Sequence, residues 1–329
     1  MIQKGIYEGI EFRYMHKPYL FKRPNKLVRA ILMIYRVLKI HFLALFVYKY
    51  KSMLLYTHDI NLTKRMRFIC NLKNSFLYSD ITEAVGYYKG EKEIKARQKS
   101  NKCLDGIITI SKGIYDDFLI NIDTNKKILI PVLVDFDRFP LKKEKSDNYF
   151  FCCSGANLER DGLLDCLNAF LLFNRNNPGY KFVIASSLNM NDSYHQQCKK
   201  IMDDNKNIIE YIGSIPANEI PKKLMKATAL MLTPHKNYLT KGFPTKLGEY
   251  LASGTPTICS KIDDLAEVIE EDCVFWTSPN SPDEICGQLE YIIRNPVHAK
   301  EVGLAGRNMM EKHYTYKAYK DSLLEFLKI

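Results

Sequence analysis

The segment at 241–260, KGFPTKLGEYLASGTPTICS, places a cation and a carboxylate near the start of a short predicted helix. Pro244 and Thr245 are typical of a helix start, where free backbone N–H groups and the positive end of the helix dipole bind anions. Lys246 and Glu249 are three residues apart and therefore share one face of the helix. A diphosphate would suit the helix start, and a carboxylate is the usual acceptor for the hydroxyls of a ribose diol. On spacing alone, a capped helix with an internal ion pair is the commoner explanation.

The elements that position this segment follow a regular alternation from about residue 105 onward. Amphipathic stretches separate short β-rich runs, and strands are predicted at 106–110, 126–132, 149–155, 181–187, 207–213, 229–234, 255–260 and 273–277. Alternating strands and helices predict parallel sheets with right-handed crossovers. A polar, proline-containing stretch at 131–148 divides the series into two α/β domains. Parallel sheets bind ligands at the carboxyl ends of their strands, and two domains create a cleft between them.

Positive charge is concentrated at the N-terminus. The net charge is +11, and residues 1–51 contain 11 basic and 2 acidic residues. Because Arg29, Arg36 and Lys39 interrupt the apolar run at 26–51, we expect a helix that lies on an anionic membrane surface rather than one that spans the bilayer. A core helix with one solvated face is the alternative. No nucleic-acid recognition motif accompanies the charge, so nucleic acid is not expected as a partner.

The nine cysteines show neither CxxC pairs nor histidines at metal-ligand intervals. An odd number of scattered thiols is typical of a reducing compartment, so we expect a cytoplasmic protein. No acidic pair of the DxD type follows a predicted strand, and no metal is expected.

The segment GFPTKLGEYLASGTP at 242–256, which follows MLTP at 231–234, resembles the signature of the retaining glycosyltransferases of family 4. The resemblance is to the branch that makes bacterial capsule, O-antigen and exopolysaccharide. It implies the GT-B fold, in which two Rossmann-like parallel-sheet domains face a cleft. It further implies that Glu249 binds the donor ribose. The residues that it implies at the diphosphate are Pro244, Thr245, Lys246 and Leu247.

Other segments resemble the same family in the same order. The segment at 150–170, FFCCSGANLERDGLLDCLNAF, implies a glycine turn at Gly155 and a phosphate contact at Arg160. The segment at 208–227, IIEYIGSIPANEIPKKLMKA, implies backbone contacts to the nucleobase, for which the candidates are Gly213, Ser214 and Ile215. The sequence DITEA at 80–84 resembles the place where the branch has an acidic residue near the acceptor, and it makes Glu83 the acceptor-side candidate.

The chain departs from the family pattern at four places. Lys241 stands where many members have a second glutamate, Thr233 replaces a basic residue before the strand-end proline, and Ala156 replaces an arginine beside the first glycine. Residues 1–20 resemble an internal segment of the N-terminal domain rather than its opening strand and glycine-rich loop. We therefore expect that domain to be incomplete, with a sheet of few strands, residues 28–51 helical and part of their apolar face uncovered.

These observations predict an N-terminal acceptor-side domain at 1–138, a nucleotide-sugar-binding domain at 139–312 and a closing helix at 313–329 that crosses back to the first domain. The predicted function is transfer of a sugar from a nucleoside diphosphate to a lipid-linked or polysaccharide acceptor, at the inner face of the plasma membrane and without a metal. Glu83, Lys246 and Arg160 are the predicted catalytic residues, and the amides from Thr245 to Leu247 assist the leaving diphosphate.

Two other functions remain open. A membrane-associated, nucleotide-binding relative with impaired catalysis would keep the donor segments. A nucleotide-sugar epimerase shares the GT-B architecture, although the FPTKLGEYLA form at 243–252 argues against it.

Overall fold

A computed structural model of the chain describes residues 4–7, 9–13, 25–57, 59–83, 90–140, 147–155, 157–235 and 243–328. The elements before residue 140 are β1 (Lys4–Tyr7), β2 (Ile10–Arg13), α1 (Lys26–Phe42), β3 (Ser52–Leu55), α2 (Ile60–Leu72), β4 (Phe76–Ile81), α3 (Glu91–Asn101), β5 (Gly106–Thr109) and β6 (Lys127–Leu129). A π-helical turn, Leu43–Val47, extends α1. The strands β1 and β2 form a small antiparallel hairpin.

The remaining elements alternate regularly between strand and helix as far as β12. They are β7 (Tyr149–Cys153), α4 (Leu163–Asn176), β8 (Lys181–Ala185), α5 (Ser193–Asp204), β9 (Ile209–Gly213), α6 (Ile220–Lys226), β10 (Ala229–Leu232), α7 (Thr245–Ala252), β11 (Thr257–Ser260), α8 (Asp263–Ala266), β12 (Phe275–Thr277), α9 (Pro282–Arg294), α10 (Pro296–His313) and α11 (Tyr316–Leu327). Each of the eight predicted β-rich runs contains a strand, because runs of buried apolar residues are typical of parallel sheets covered on both faces.

The C-terminal sheet has six parallel strands in the order β12-β11-β10-β7-β8-β9. The chain winds outward from β7 to β9 and then returns to β10 on the other side of β7. Such a reversal of strand order opens a crevice at the carboxyl ends of the two central strands, which is where doubly wound sheets bind nucleotides. The crevice therefore lies between the ends of β7 and β10.

The N-terminal sheet has four parallel strands in sequence order, β3-β4-β5-β6. Within the described residues this sheet shows no reversal of strand order, so its topology does not mark a ligand crevice. Helix α11 lies against this sheet: the ring of Phe326 lies 5.7 Å from the ring of Tyr78, and Ser52 Oγ donates to the carbonyl of Leu327 at 3.1 Å. The C-terminal end of the chain thus contacts the N-terminal sheet.

Of the stretch at 28–51 that was expected to be helical, residues 28–47 are helical, and none of the residues of α1 is buried. A stripe of apolar side chains is 57% to 70% exposed, and its members are Leu27, Ile31, Ile34, Leu38 and Phe42. The core-helix alternative is therefore wrong for α1, and only Leu43 and Ala44 in the turn that follows are buried.

Arg29, Arg36 and Lys39 do not by themselves exclude a membrane-spanning helix. By length and composition alone, Lys26–Val47 is long and apolar enough to cross a membrane. At 100° per residue, Arg29 and Arg36 lie on the side of α1 opposite the exposed stripe, so they leave the stripe uninterrupted.

Candidate functional site

A buried carboxylate lies in the crevice between β7 and β10. Asp161 is 3% exposed, and its Oδ2 accepts hydrogen bonds from Ser154 Oγ at 2.7 Å and from Lys246 Nζ at 2.5 Å. Ser154 directly follows β7, whereas Lys246 lies in the first turn of α7. A buried charge is tolerated in a protein only when it is paired and hydrogen-bonded, and Asp161 meets both conditions.

The turn before α4 holds Asp161 in place. Gly162 has a φ of 73°, and a Cβ added there would lie 1.9 Å from the carbonyl oxygen of Thr233. Thr233 is fully buried, its N–H donates to the Asp161 carbonyl at 3.3 Å, and its Oγ1 donates to the Gly162 carbonyl at 3.2 Å. Thr233 therefore joins the end of β10 to this turn, which gives a structural reason for the loss of a basic residue at this position.

Lys246 faces the backbone of the glycine turn. A Cβ added at Gly155 would lie 3.8 Å from Lys246 Nζ, which is an ordinary van der Waals contact. The sequence prediction placed Leu247 among the amides that bind the diphosphate. Its N–H instead donates to the Pro244 carbonyl at 2.9 Å, and its side chain is fully buried. The first-turn amides that helix geometry leaves without an intrahelical acceptor are therefore those of Thr245 and Lys246.

Glu249 also projects from α7, but it does not pair with Lys246. Its Oε1 accepts a hydrogen bond from Arg138 Nη1, and Arg138 Nη2 donates to the carbonyl of Ala217 at 3.0 Å. The Glu249 side chain is 28% exposed. The internal ion pair that the spacing also allowed is thus replaced by two pairs with partners outside the helix, Asp161 for the cation and Arg138 for the carboxylate.

The other donor-side candidates lie around these residues. The Arg160 side chain is 42% exposed, with its Nε 3.4 Å from Asp161 Oδ1, so it remains accessible at the mouth of the crevice. Burial raises the pKa of the Cys153 thiol, while the charge of Lys246 lowers it and the charges of Glu249 and Asp161 raise it. The end of β7 therefore lies among the charged groups of this site.

The predicted nucleobase loop begins at the end of β9. Gly213 has a φ of 69°, which favours glycine, and its carbonyl accepts the N–H of Ser186 at 3.1 Å. Ser214 is exposed, whereas Ile215 is partly buried against the C-terminal core. Ala217, which accepts from Arg138, belongs to the same loop, so Arg138 connects this loop to Glu249.

The acceptor-side candidate lies elsewhere. Glu83 follows β4 and lines a small pocket of the N-terminal domain together with Thr57, Ser79 and Arg97. The described contacts of Glu83 do not connect it to Lys246, Asp161 or Arg160, so its acceptor role stays a prediction. Burial raises the pKa of the neighbouring Asp80. Two sequence positions discussed above, Ala156 and Lys241, lie outside the described residues.

Asp161 and Arg138 are the residues that sequence reasoning missed. Asp161 directly precedes Gly162 in the segment at 150–170 that resembles the family, so its position next to that glycine could have identified it as a candidate. Arg138 is 111 residues away from Glu249, and no local pattern connects the two.

One group in the described part of the chain has the geometry of a metal site. It consists of Glu270, Asp272 and Cys273, whose ligand atoms lie within 4.8 Å of one another. The two carboxylates are exposed, and exposed acidic clusters commonly occur without an ion. The expectation of metal-free chemistry stays a prediction.

The chain matches the family described as "Glycosyl transferases group 1" over residues 135–309, which is more than half of its length and includes every donor-side residue named above. A search of curated proteins found no match. Among solved structures, a sucrose-phosphate synthase from Thermosynechococcus elongatus aligns with a TM-score of 0.75 and 14% identity, covering 99% of this chain and 85% of that one.

Two further structures show the same fold. Anabaena HepE in complex with UDP aligns with a TM-score of 0.72 and 12% identity, covering 89% of this chain and 82% of that one. TarM aligns with a TM-score of 0.70 and 17% identity, covering 89% of this chain and 58% of that one. The two parallel-sheet domains therefore have the GT-B fold. The chain belongs to the group 1 glycosyl transferases.

Proposed function

We propose that this glycosyltransferase moves a sugar from a nucleoside diphosphate to a lipid-linked or polysaccharide acceptor, with retention of the anomeric configuration. The observation that carries the proposal is the pair of charged side chains on one turn of α7. Lys246 faces the crevice between β7 and β10, and Glu249 lies beside the loop that follows β9. This arrangement suits a diphosphate at the cation and a ribose at the carboxylate.

Similar structures favour a nucleotide-sugar donor. Anabaena HepE has been crystallised with UDP-glucose. Staphylococcus aureus TarM has been crystallised with UDP and α-GlcNAc-glycerol. A uridine nucleotide is accordingly the first probe to use with this chain, while the base and the sugar stay open.

The proposed chemistry is electrostatic stabilisation of the leaving diphosphate. Negative charge develops on that group as its bond to the sugar breaks, and donors already fixed in place stabilise it. The amides of Thr245 and Lys246, the ammonium of Lys246 and the guanidinium of Arg160 supply those donors. An ammonium group has three N–H donors, so Lys246 keeps its bond to Asp161 while another donor contacts the phosphate. These cations take the role that a metal would otherwise have.

Glu83 is the acidic candidate in the N-terminal domain, and it would orient or deprotonate the acceptor hydroxyl. We further propose that the protein works at the inner face of the plasma membrane. The exposed apolar stripe of α1 and the 11 basic residues within 1–51 support this proposal.

Two assays test the proposed function. Calorimetric titration with UDP, GDP and ADP measures nucleotide binding, and NMR of the product formed from the matching sugar nucleotide measures transfer and anomeric configuration. We expect Glu249→Ala to lose a charge-assisted hydrogen bond and to weaken binding by roughly ten- to over a hundredfold. Unchanged affinity would contradict the ribose assignment. Binding without transfer to any acceptor would favour the catalytically impaired alternative, and an inverted product would contradict retention.

A further inference from the structure

Arg138 bridges two separate parts of the proposed nucleoside site. Its Nη1 donates to Oε1 of Glu249, and its Nη2 donates to the carbonyl of Ala217 at 3.0 Å. Glu249 lies on α7, and Ala217 lies in the loop after β9. One planar guanidinium therefore fixes the carboxylate and the loop relative to each other.

The backbone on both sides of Arg138 is anchored. Arg138 ends a single 3₁₀ turn, Phe136–Arg138, which begins where the side chain of Asp135 accepts the N–H of Asp137 at 3.0 Å. The next residue, Phe139, is fully buried, and its carbonyl accepts a hydrogen bond from Arg307 Nη2 at 2.8 Å.

Arg307 also donates to the carbonyl of Ala252 at 2.6 Å, at the end of α7. The segment that carries Arg138 is therefore tied to the same helix that carries Glu249. The backbone of Arg138 is therefore fixed relative to α7, and its side chain reaches Glu249 from an anchored position.

The bridge leaves Glu249 able to bind a diol. An ionised carboxylate has about four acceptor positions on its two oxygens, and Arg138 occupies one of them on Oε1. The planar guanidinium of Arg138 donates to Glu249 Oε1 and to the Ala217 carbonyl together, so it keeps the carboxylate turned in one direction. A carboxylate that is already oriented loses less conformational entropy when the ribose hydroxyls bind.

We propose that Arg138 is a positioning residue for ribose recognition, holding Glu249 and the Ala217 loop in the geometry that distinguishes a ribonucleotide from its deoxy form. This inference rests on the proposed function. A purely structural role for Arg138 would make its loss weaken the binding of ribonucleotides and of deoxyribonucleotides equally. A positioning role predicts instead that the ratio of these two affinities changes.

The experiment compares UDP, GDP and ADP with their 2′-deoxy and 3′-deoxy forms by calorimetry. In the wild-type chain the deoxy forms should bind roughly ten- to a hundredfold more weakly, because a hydrogen bond to a charged group is lost. In Glu249→Ala the ratio should fall close to one. In Arg138→Ala the ratio of the deoxynucleotide Kd to the ribonucleotide Kd should fall to about three or less. In Arg138→Lys this ratio should be intermediate, because a lysine lacks the planar fork that spans two acceptors.

Arg175→Ala is the matched control, because Arg175 is exposed at the end of α4, and its ratio should equal that of the wild type. If Arg138→Ala does not fold, Arg138→Lys carries the same test. A weaker affinity with an unchanged ratio would overturn this inference alone and leave the proposed function standing. A wild-type ratio of one would overturn both this inference and the ribose role of Glu249. Failure of all three ribonucleotides to bind would contradict the proposed function itself.

Discussion

Lys246 Nζ lies 2.5 Å from Oδ2 of Asp161 and forms an ion pair between α7 and the turn that precedes α4. The side chain of Asp161 is 4% exposed and that of Lys246 is 20% exposed. The pair holds the proposed phosphate-binding cation at the point where the strand order reverses. It also places a negative charge inside a site that is proposed to bind an anion, so Lys246 is shared between a permanent partner and a transient one.

Removal of the cation should destabilise the C-terminal domain. Lys246→Met leaves the buried Asp161 with only the partly exposed Arg160 as a cation, 3.4 Å away, and breaking a buried pair from one side costs up to about 3–5 kcal/mol of unfolding free energy. Urea denaturation followed by the fluorescence of Trp276, the only tryptophan in the chain, measures this change. The double variant Asp161→Asn with Lys246→Met should recover most of the loss. Equal stability of the single and double variants would show that the charge of Asp161 is not the cause.

Gly162 should tolerate no side chain. Gly162→Ala would place a Cβ 1.9 Å from the Thr233 carbonyl, so the turn must move. Gly213→Ala is the matched control, because Gly213 has a φ of 69° against 73° at Gly162 and has open space around it. The control should cost about 1–2 kcal/mol, the usual penalty of the left-handed conformation. Gly162→Ala should cost clearly more in the same denaturation assay. Similar losses in both variants would contradict the steric explanation.

Stability should fall at alkaline pH. Burial raises the pKa of the Cys259 thiol from an ordinary value of 9.0 to about 12. The neutral thiol is favoured in the folded state, so its contribution is fully present below about pH 9 and is lost as the pH rises toward 12. Between these values each such thiol reduces the unfolding free energy by about 1.4 kcal/mol per pH unit.

Cysteine substitutions test this pH dependence. Unfolding free energies measured at several pH values between 9 and 12 should decline less steeply in Cys259→Ala than in the wild type. Cys103→Ala is the control, because Cys103 is exposed, and it should leave the slope unchanged. An identical slope in all three proteins would rule out Cys259 as a contributor.

Membrane binding should depend on both charge and α1. We expect the protein to sediment with anionic vesicles and to be released by salt, because charges more than about 10 Å apart are largely screened at 0.1 M ionic strength. Ile31→Glu with Leu38→Glu should abolish binding, since both side chains belong to the exposed stripe.

Two exposed apolar residues of the C-terminal half supply the matched control. Val297→Glu with Tyr316→Glu adds the same charge at side chains that are 72% and 61% exposed, and it should bind nearly as well as the wild type. Equal binding to neutral and anionic vesicles would contradict the electrostatic part of the proposal. Equal loss in both double variants would show that only net charge matters.

The sequence alone determined the alternation of strands and helices and the position of α7. These features depend on local patterns: apolar runs, amphipathic periods and the turn residues around Pro244 and Gly254. Local patterns also placed Lys246 and Glu249 on one helical face. They did not determine whether these two side chains pair with each other, because an i,i+3 spacing permits an internal pair as well as external partners.

Only the tertiary structure decided the partners of those charges. Asp161 meets Lys246 because strand order brings the ends of β7 and β10 together, and strand order is a property of chain winding that a single segment does not encode. Arg138 meets Glu249 across 111 residues because Arg307 ties the residue after Arg138 to the end of α7. Thr233 likewise joins β10 to the turn at Gly162 only because the fold brings that turn beside the end of β10. Side chains distant in sequence become neighbours only when the whole sheet has formed, and the geometry of this site follows from that assembly.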